Sequence, residues 1–169
     1  LTKSTAPGYT DTPIDGVSAL WTGFGVVNWA ADFRVLPSDG TGEVSVINTT
    51  TPVDQPETFR FAQKVKKDIY AGTDIDASAK LGNTSGLSTL IELRQVHSVT
   101  ESTDAAYRKL VPIRVGITID SPRDANFTKV QVLNMVKRAL AGIHSQGVYD
   151  DFRINDLLHG VLKPKTVIG

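Results

Sequence analysis

The sequence predicts an α+β fold: an antiparallel β-sheet meander opened by an N-terminal hairpin and followed by two C-terminal helices. Three observations predict it. Apolar residues alternate with polar or basic ones over 58–71, 87–99 and 109–119, the period of two that sends successive side chains to opposite faces of a strand. Asp39-Gly40 stands between two short β-prone runs, a hairpin signal because glycine supplies the positive φ that a tight turn requires. Beyond Ser121-Pro122 the apolar spacing changes to three and four, the period of a helix with one buried face.

In chain order, the first thirty residues are rich in Thr, Ser, Gly and Pro and show no helical period. Within them, 17–29 mixes aromatics, valines and glycines and suits either a strand or an arm. Residues 1–30 are read as an N-terminal arm or extension and 31–169 as one domain. Leu1, in place of an initiating Met, suggests that preceding residues were removed. Phe33, Val35 and Leu36 lead into the turn, and Val44, Val46 and Ile47 return from it. Over 58–71, Phe59, Phe61, Val65 and Ile69 hold odd positions, and Arg60, Lys64, Lys66 and Tyr70 even ones.

The Gly-, Asp- and Ser-containing stretch 72–86 reads as a loop. Ile91 and Leu93 then oppose Glu92 and Arg94 on the next strand, and the polar 100–106 reads as a long exposed connection. The clearest alternation follows. Val111, Ile113, Val115, Ile117 and Ile119 share one face, with Pro112, Arg114, Gly116 and Thr118 on the other. Asp124 or Asn126 is positioned to cap a helix that carries Phe127, Val130, Leu133, Val136, Leu140 and Ile143 and ends at Gly147. A second helix starts near Asp150-Asp151, whose charges suit a helix N-terminus. It buries Phe152, Ile154, Leu157, Leu158 and Val161, and Pro164 closes it. Helices that come only after the strands make the class α+β.

At 169 residues and 40% hydrophobic content the chain is long enough for one domain with a real core. No apolar run is long enough to cross a bilayer, and the N-terminus lacks the basic-then-apolar layout of a signal peptide. A soluble chain with no membrane partner is expected. The absence of cysteine excludes disulfides and thiolate metal sites. No catalytic residue, metal site or cofactor is predicted. His97, His144 and His159 fall in different elements without ligand spacing, and Asp74-Ile75-Asp76 lacks the remaining ligands of a calcium loop. Neither Gly23-Phe24-Gly25 nor Gly40-Thr41-Gly42 sits between a strand and a helix, as a phosphate-cradling loop does.

Eighteen basic residues balance eighteen acidic ones, a total that argues against a dedicated nucleic-acid binder unless the charges are unevenly placed. If the strands share one sheet, the odd positions supply the apolar face that the helices cover. The even face then gathers Arg60, Lys64, Lys66, Arg94 and Arg114, with Glu92 and Asp68 as the chief compensating acids. Such a face is a platform for phosphates. Exposed antiparallel faces are also commonly polar, with Lys and Arg discouraging edge pairing. The residues alone leave both readings open.

The run Val111-Pro112-Ile113-Arg114-Val115-Gly116-Ile117-Thr118-Ile119 passes through Asp120-Ser121-Pro122 into the helix containing Val136-Lys137-Arg138-Ala139-Leu140. With the early turn Asp39-Gly40-Thr41-Gly42-Glu43-Val44, this order of elements resembles the coat proteins of single-stranded RNA bacteriophages, the leviviruses. The likeness covers residues 31–164; the first thirty residues and the 72–86 loop exceed typical members. It implies a non-enzymatic subunit that forms a homodimer with a continuous sheet, each subunit's helices lying across its partner's sheet. It further implies an icosahedral shell, assembled in the bacterial cytoplasm and retained in the virion.

The resemblance also implies that the concave sheet face binds single-stranded genomic RNA, including a hairpin whose capture represses translation of the replicase. By position on the last strand, that face falls on Arg114 and even neighbours such as Thr118, and by extension on Arg60, Lys64, Lys66 and Arg94. The loop at 98–108 would take different shapes around the symmetry axes. A small cellular RNA-binding α+β domain would use the same basic face. An enzyme of ferredoxin-like layout would interleave its helices between strands, unlike the order here.

Overall fold

The computed structural model describes residues 3–7, 10, 26–37, 40–124, 127–143 and 154–160, which fall into two compact units, Leu1–Ser121 and Pro122–Gly169. The first unit holds the strands β1 (Lys3–Pro7), β2 (Phe33–Val35), β3 (Glu43–Asn48), β4 (Glu57–Lys66), β5 (Gly86–Glu101) and β6 (Asp104–Pro122). They form one sheet in which β2, β3, β4 and β5 pair in sequence and β6 pairs with β5. The meander read from the sequence is the observed order.

Gly42, at φ 77°, is the left-handed residue of the first hairpin, two positions beyond the Asp39-Gly40 pair. It has a second reason to be glycine. A Cβ there would lie 2.8 Å from the Gln63 carbonyl oxygen, and Gln63 N–H donates to Gly42 O at 2.8 Å. Gly42→Ala should therefore cost about 1–3 kcal/mol of stability, read as a lower midpoint in urea unfolding with an unchanged slope.

Two strand boundaries differ from expectation. Strand β4 ends at Lys66 rather than running to Ala71. Asp68 Oδ1 accepts from Tyr70 N–H, and Ile69 N–H donates to Thr84 O, so the chain turns there despite its alternating pattern. Conversely, 100–106 is not a long connection. Strand β5 continues to Glu101 and β6 starts at Asp104, leaving a two-residue turn at Ser102-Thr103. Polar strand residues at an exposed tip carry no apolar alternation, so the sequence pattern cannot register them. Arg108 braces this tip, donating to Asp54 Oδ2 at 2.6 Å and to Gln55 Oε1 at 2.8 Å.

Part of the N-terminal extension adds to the sheet. Strand β1 pairs antiparallel with residues 97–101 of β5, beyond the stretch 86–95 that β4 occupies. Of the 17–29 run, 17–25 lie outside the described residues, and Trp29–Asp32 forms a single helical turn. Asn28 caps it, its side chain accepting from Ala31 N–H at 3.2 Å. That turn sets Trp29 against Phe33, Phe59 and Phe61, with ring centroids 4.8–5.8 Å apart. Such aromatic pairs add about 0.5–1.5 kcal/mol each beyond area burial.

The second unit carries the helices. The long one spans Lys129–Leu140 and passes into a 3₁₀ turn at Ala141–Ile143; its predicted end at Gly147 lies outside the described residues. Of the two expected caps, Asn126 lies outside the described residues, and Asp124 stands five residues before the first helical residue, Lys129. Gln131 Oε1 accepts from Thr128 N–H at 2.7 Å, the reciprocal half of a Thr-x-x-Gln capping box. The short helix is described over Ile154–Leu158; its expected start near Asp150-Asp151 lies outside the described residues, as do the rest of 144–153 and 161–169. Apolar residues expected to be buried are instead open. On β6, Val111 and Ile113 are each 43% exposed and Val115 56%, and no residue of the long helix is buried. Among the described residues, no helix is long and apolar enough to cross a membrane.

Candidate nucleic-acid interface

Register decides which charges become neighbours. Across β4 and β5, Thr58 faces Arg94, Arg60 faces Glu92, Ala62 faces Leu90 and Lys64 faces Ser88. On the far side of β5, Arg114 reaches Glu92. All six residues singled out from the sequence (Arg60, Lys64, Lys66, Arg94, Arg114 and Thr118) therefore belong to the even face of one sheet. They are not a uniform field of free cations.

Glu92 is the centre of the face and only 1% exposed. Its Oε1 accepts from Arg94 Nε at 2.5 Å, and its Oε2 from Arg114 Nε at 2.7 Å. Arg60 Nη1 stands 3.9 Å away, because that guanidinium is committed to Glu43 through bonds of 2.7 and 3.0 Å. Lys66 pairs with Asp120 at 3.0 Å. Lys64 makes no direct ion pair among the described residues. Two acids the sequence reading passed over, Glu43 and Asp120, thus join Glu92, while Asp68 is used in the turn after β4. The five cations face three carboxylates.

These pairings hold the carboxyls below their ordinary range. For Glu92 the Arg114 hydrogen bond dominates, burial opposes it and Arg94 adds to it. The Arg60 bond does the same for Glu43, and bonds from Ser88 and Lys66 for Asp120. A lowered folded-state value contributes stability that is present above the unfolded value and lost as pH falls through the folded one. The melting temperature should accordingly drop steeply below about pH 4, the ordinary carboxylate region. In Glu92→Gln that acid limb should be shallower.

Beside the arginine cluster lies an open concavity of about 360 Å³ lined by Arg60, Lys64, Ser88, Leu90 and Thr118. Leu90 supplies an apolar surface, Ser88 and Thr118 supply hydroxyls, and the two cations stand where phosphates could be met. This is chemistry suited to a nucleotide: a flat apolar contact, donors and acceptors for base edges, and positive charge for the backbone.

The opposite face holds a polar row that no sequence pattern signalled. Asn48 and Glu57 are 1% and 6% exposed. Asn48 Nδ2 donates to Glu57 Oε1 at 2.9 Å, Gln95 Nε2 donates to Glu57 Oε2, and His97 Nε2 lies 2.8 Å from Gln95 Oε1. Because Gln95 presents its oxygen to the ring, His97 Nε2 is the donor. Buried polar groups persist when satisfied in this way. Asp76, from the faint calcium-loop pattern, accepts from Ser78 N–H and Oγ–H and caps the 3₁₀ turn Ala77–Ala79. His144 lies outside the described residues.

No protein-family model matches the chain, and no curated protein does. Solved structures match along nearly its whole length. The chain is similar to one in the virus-like particle of bacteriophage AVE015, with a TM-score of 0.77 and 22% identity over 94% of this chain and 93% of that one. It is also similar to one in the virus-like particle of bacteriophage GQ-112, with a TM-score of 0.62 and 15% identity over 94% and 92%. The chain has the fold of a phage coat protein. The likeness read from the order of strands and helices is met at the level of the fold, and the sheet carries the basic residues on one face.

Proposed function

We propose that this protein is a structural, non-enzymatic shell subunit that dimerises, closes into an icosahedral particle and packages single-stranded RNA against the even face of its sheet. The observation that carries the RNA reading is the gathering of Arg60, Lys64, Lys66, Arg94, Arg114 and Thr118 from three strands onto one face. The shell reading rests on the fold shared with chains of phage virus-like particles. Dimerisation is supported by the open valines and isoleucine of β6 and by the apolar residues of the long helix, where Val130 is 55% and Leu133 47% exposed. Exposed apolar stripes of this kind mark interaction surfaces.

In this reading residues 31–169 form the coat domain and 1–30 an extension, of which β1 is braced on β5. The particle forms in the bacterial cytoplasm, and one RNA hairpin, when captured, represses translation. Expression of the full chain tests the proposal directly. Particles of megadalton size under negative stain, holding nucleic acid that runs as long RNA on a gel and is degraded by ribonuclease after disruption, are the expected result. A chain that stays a monomer or small oligomer, yet binds RNA through the same residues, would be a cellular RNA-binding domain instead.

A further inference from the structure

We propose that Glu92 is a positioning residue for RNA recognition: it pins the guanidinium groups of Arg94 and Arg114 in one arrangement and so sets which RNA sequences the face prefers. The inference rests on the RNA-binding reading above and deepens it. A face built only to hold phosphates would gain from having no acid at its centre, because affinity rises with each cation free to neutralise a phosphate. Here a carboxylate 1% exposed sits between arginines of two different strands.

What the acid provides is geometry. Arg94 is held through Nε, and Arg114 through Nε and Nη2, the latter 2.5 Å from Glu92 Oε2. Their side chains are nonetheless 62% and 56% exposed, so donors not bonded to Glu92 remain available to a ligand. A planar guanidinium fixed at Nε offers its outer N–H groups in a set direction, suited to a base edge bearing acceptors. The carboxylate also repels phosphate from the centre of the face. The backbone is thereby directed towards Lys64 and the concavity beside Thr118, and bases towards the arginine pair. Because Arg114, with Arg94, holds the Glu92 carboxyl below its ordinary range, it stays ionised and the arrangement stays charged under neutral conditions.

The test uses the full chain with two probes: a uridine oligonucleotide and a pool of RNA hairpins with randomised loops, from which the parent selects its preferred loop. Glu92→Gln keeps the size of the side chain and removes its charge. It should bind the uridine oligonucleotide more tightly, with a salt slope steeper by about 0.7, one further single-strand phosphate contact. Its discrimination between the selected hairpin and the unselected pool should fall at least about tenfold, to levels expected without fixed base contacts. The double variant Arg94→Lys with Arg114→Lys keeps both charges but loses the planar forks. It should lose the same discrimination with the parent's slope, and it carries the test if Glu92→Gln does not fold. Full discrimination retained in a folded variant overturns the proposal. So does a parent that binds RNA without preferring any loop, and RNA binding then stands alone. A parent that binds neither probe removes the RNA reading and this proposal together.

Discussion

Val115→Asp should leave the chain folded and abolish particles. Val115 lies in the apolar row of β6 and is 56% exposed, so in a single chain an aspartate there stays hydrated. In the proposed dimer this row is covered by the partner. An unpaired carboxylate carried into that contact loses its hydration, at a cost of several kcal/mol, repeated at every equivalent contact of a closed shell. Circular dichroism should show the parent's strand and helix content. Gel filtration should show only small species, and particle yield should fall by two orders of magnitude or more, on the order of the change that such a cost implies. Particles of normal yield and size would take the β6 face out of the interface.

Lys64→Ala with Arg94→Ala should strip RNA from the particles without preventing their assembly. The pair is chosen from the hydrogen bonds of the face. Lys64 has no direct ion pair among the described residues, and Arg94 holds Glu92 by one bond, whereas Arg114 Nε and Nη2 both reach Oε2. Glu92 therefore keeps a partner in the double variant, and a fall in RNA binding is not a folding defect. Two lost single-strand contacts at about 0.7 each should flatten the salt slope by about 1.4. Removing Arg114 and Lys66 would be a poorer test, because Glu92 would lose the partner that reaches it through two nitrogens and Asp120 would lose its ion pair. An unchanged slope and RNA content would make the even face a solvated surface.

Much of this was legible because periodicity reports faces. The odd-numbered valines and isoleucines of 111–119 and the helical spacing from Phe127 onwards each state which side of an element is apolar. Their order was enough for the fold. Boundaries were less legible where polar residues stay in strand, as at Thr100–Glu101 and Asp104–Ala106, or where an alternating segment turns, as at Asp68–Tyr70.

The sequence by itself determined the α+β class, the meander and the gathering of cations on one side of the strands, since each depends on local spacing along the chain. Only the tertiary structure decided how those cations are used. Glu43 carries an odd number yet pairs with Ala62 and bonds Arg60, because parity is reset at the hairpin and only register restores it. Glu92 looked like one acid among five cations; cross-strand pairing with Arg60 and contact with Arg94 and Arg114 made it the centre of the face. Whether a charge is free or committed is a property of distances between strands, and no spacing within one strand contains it.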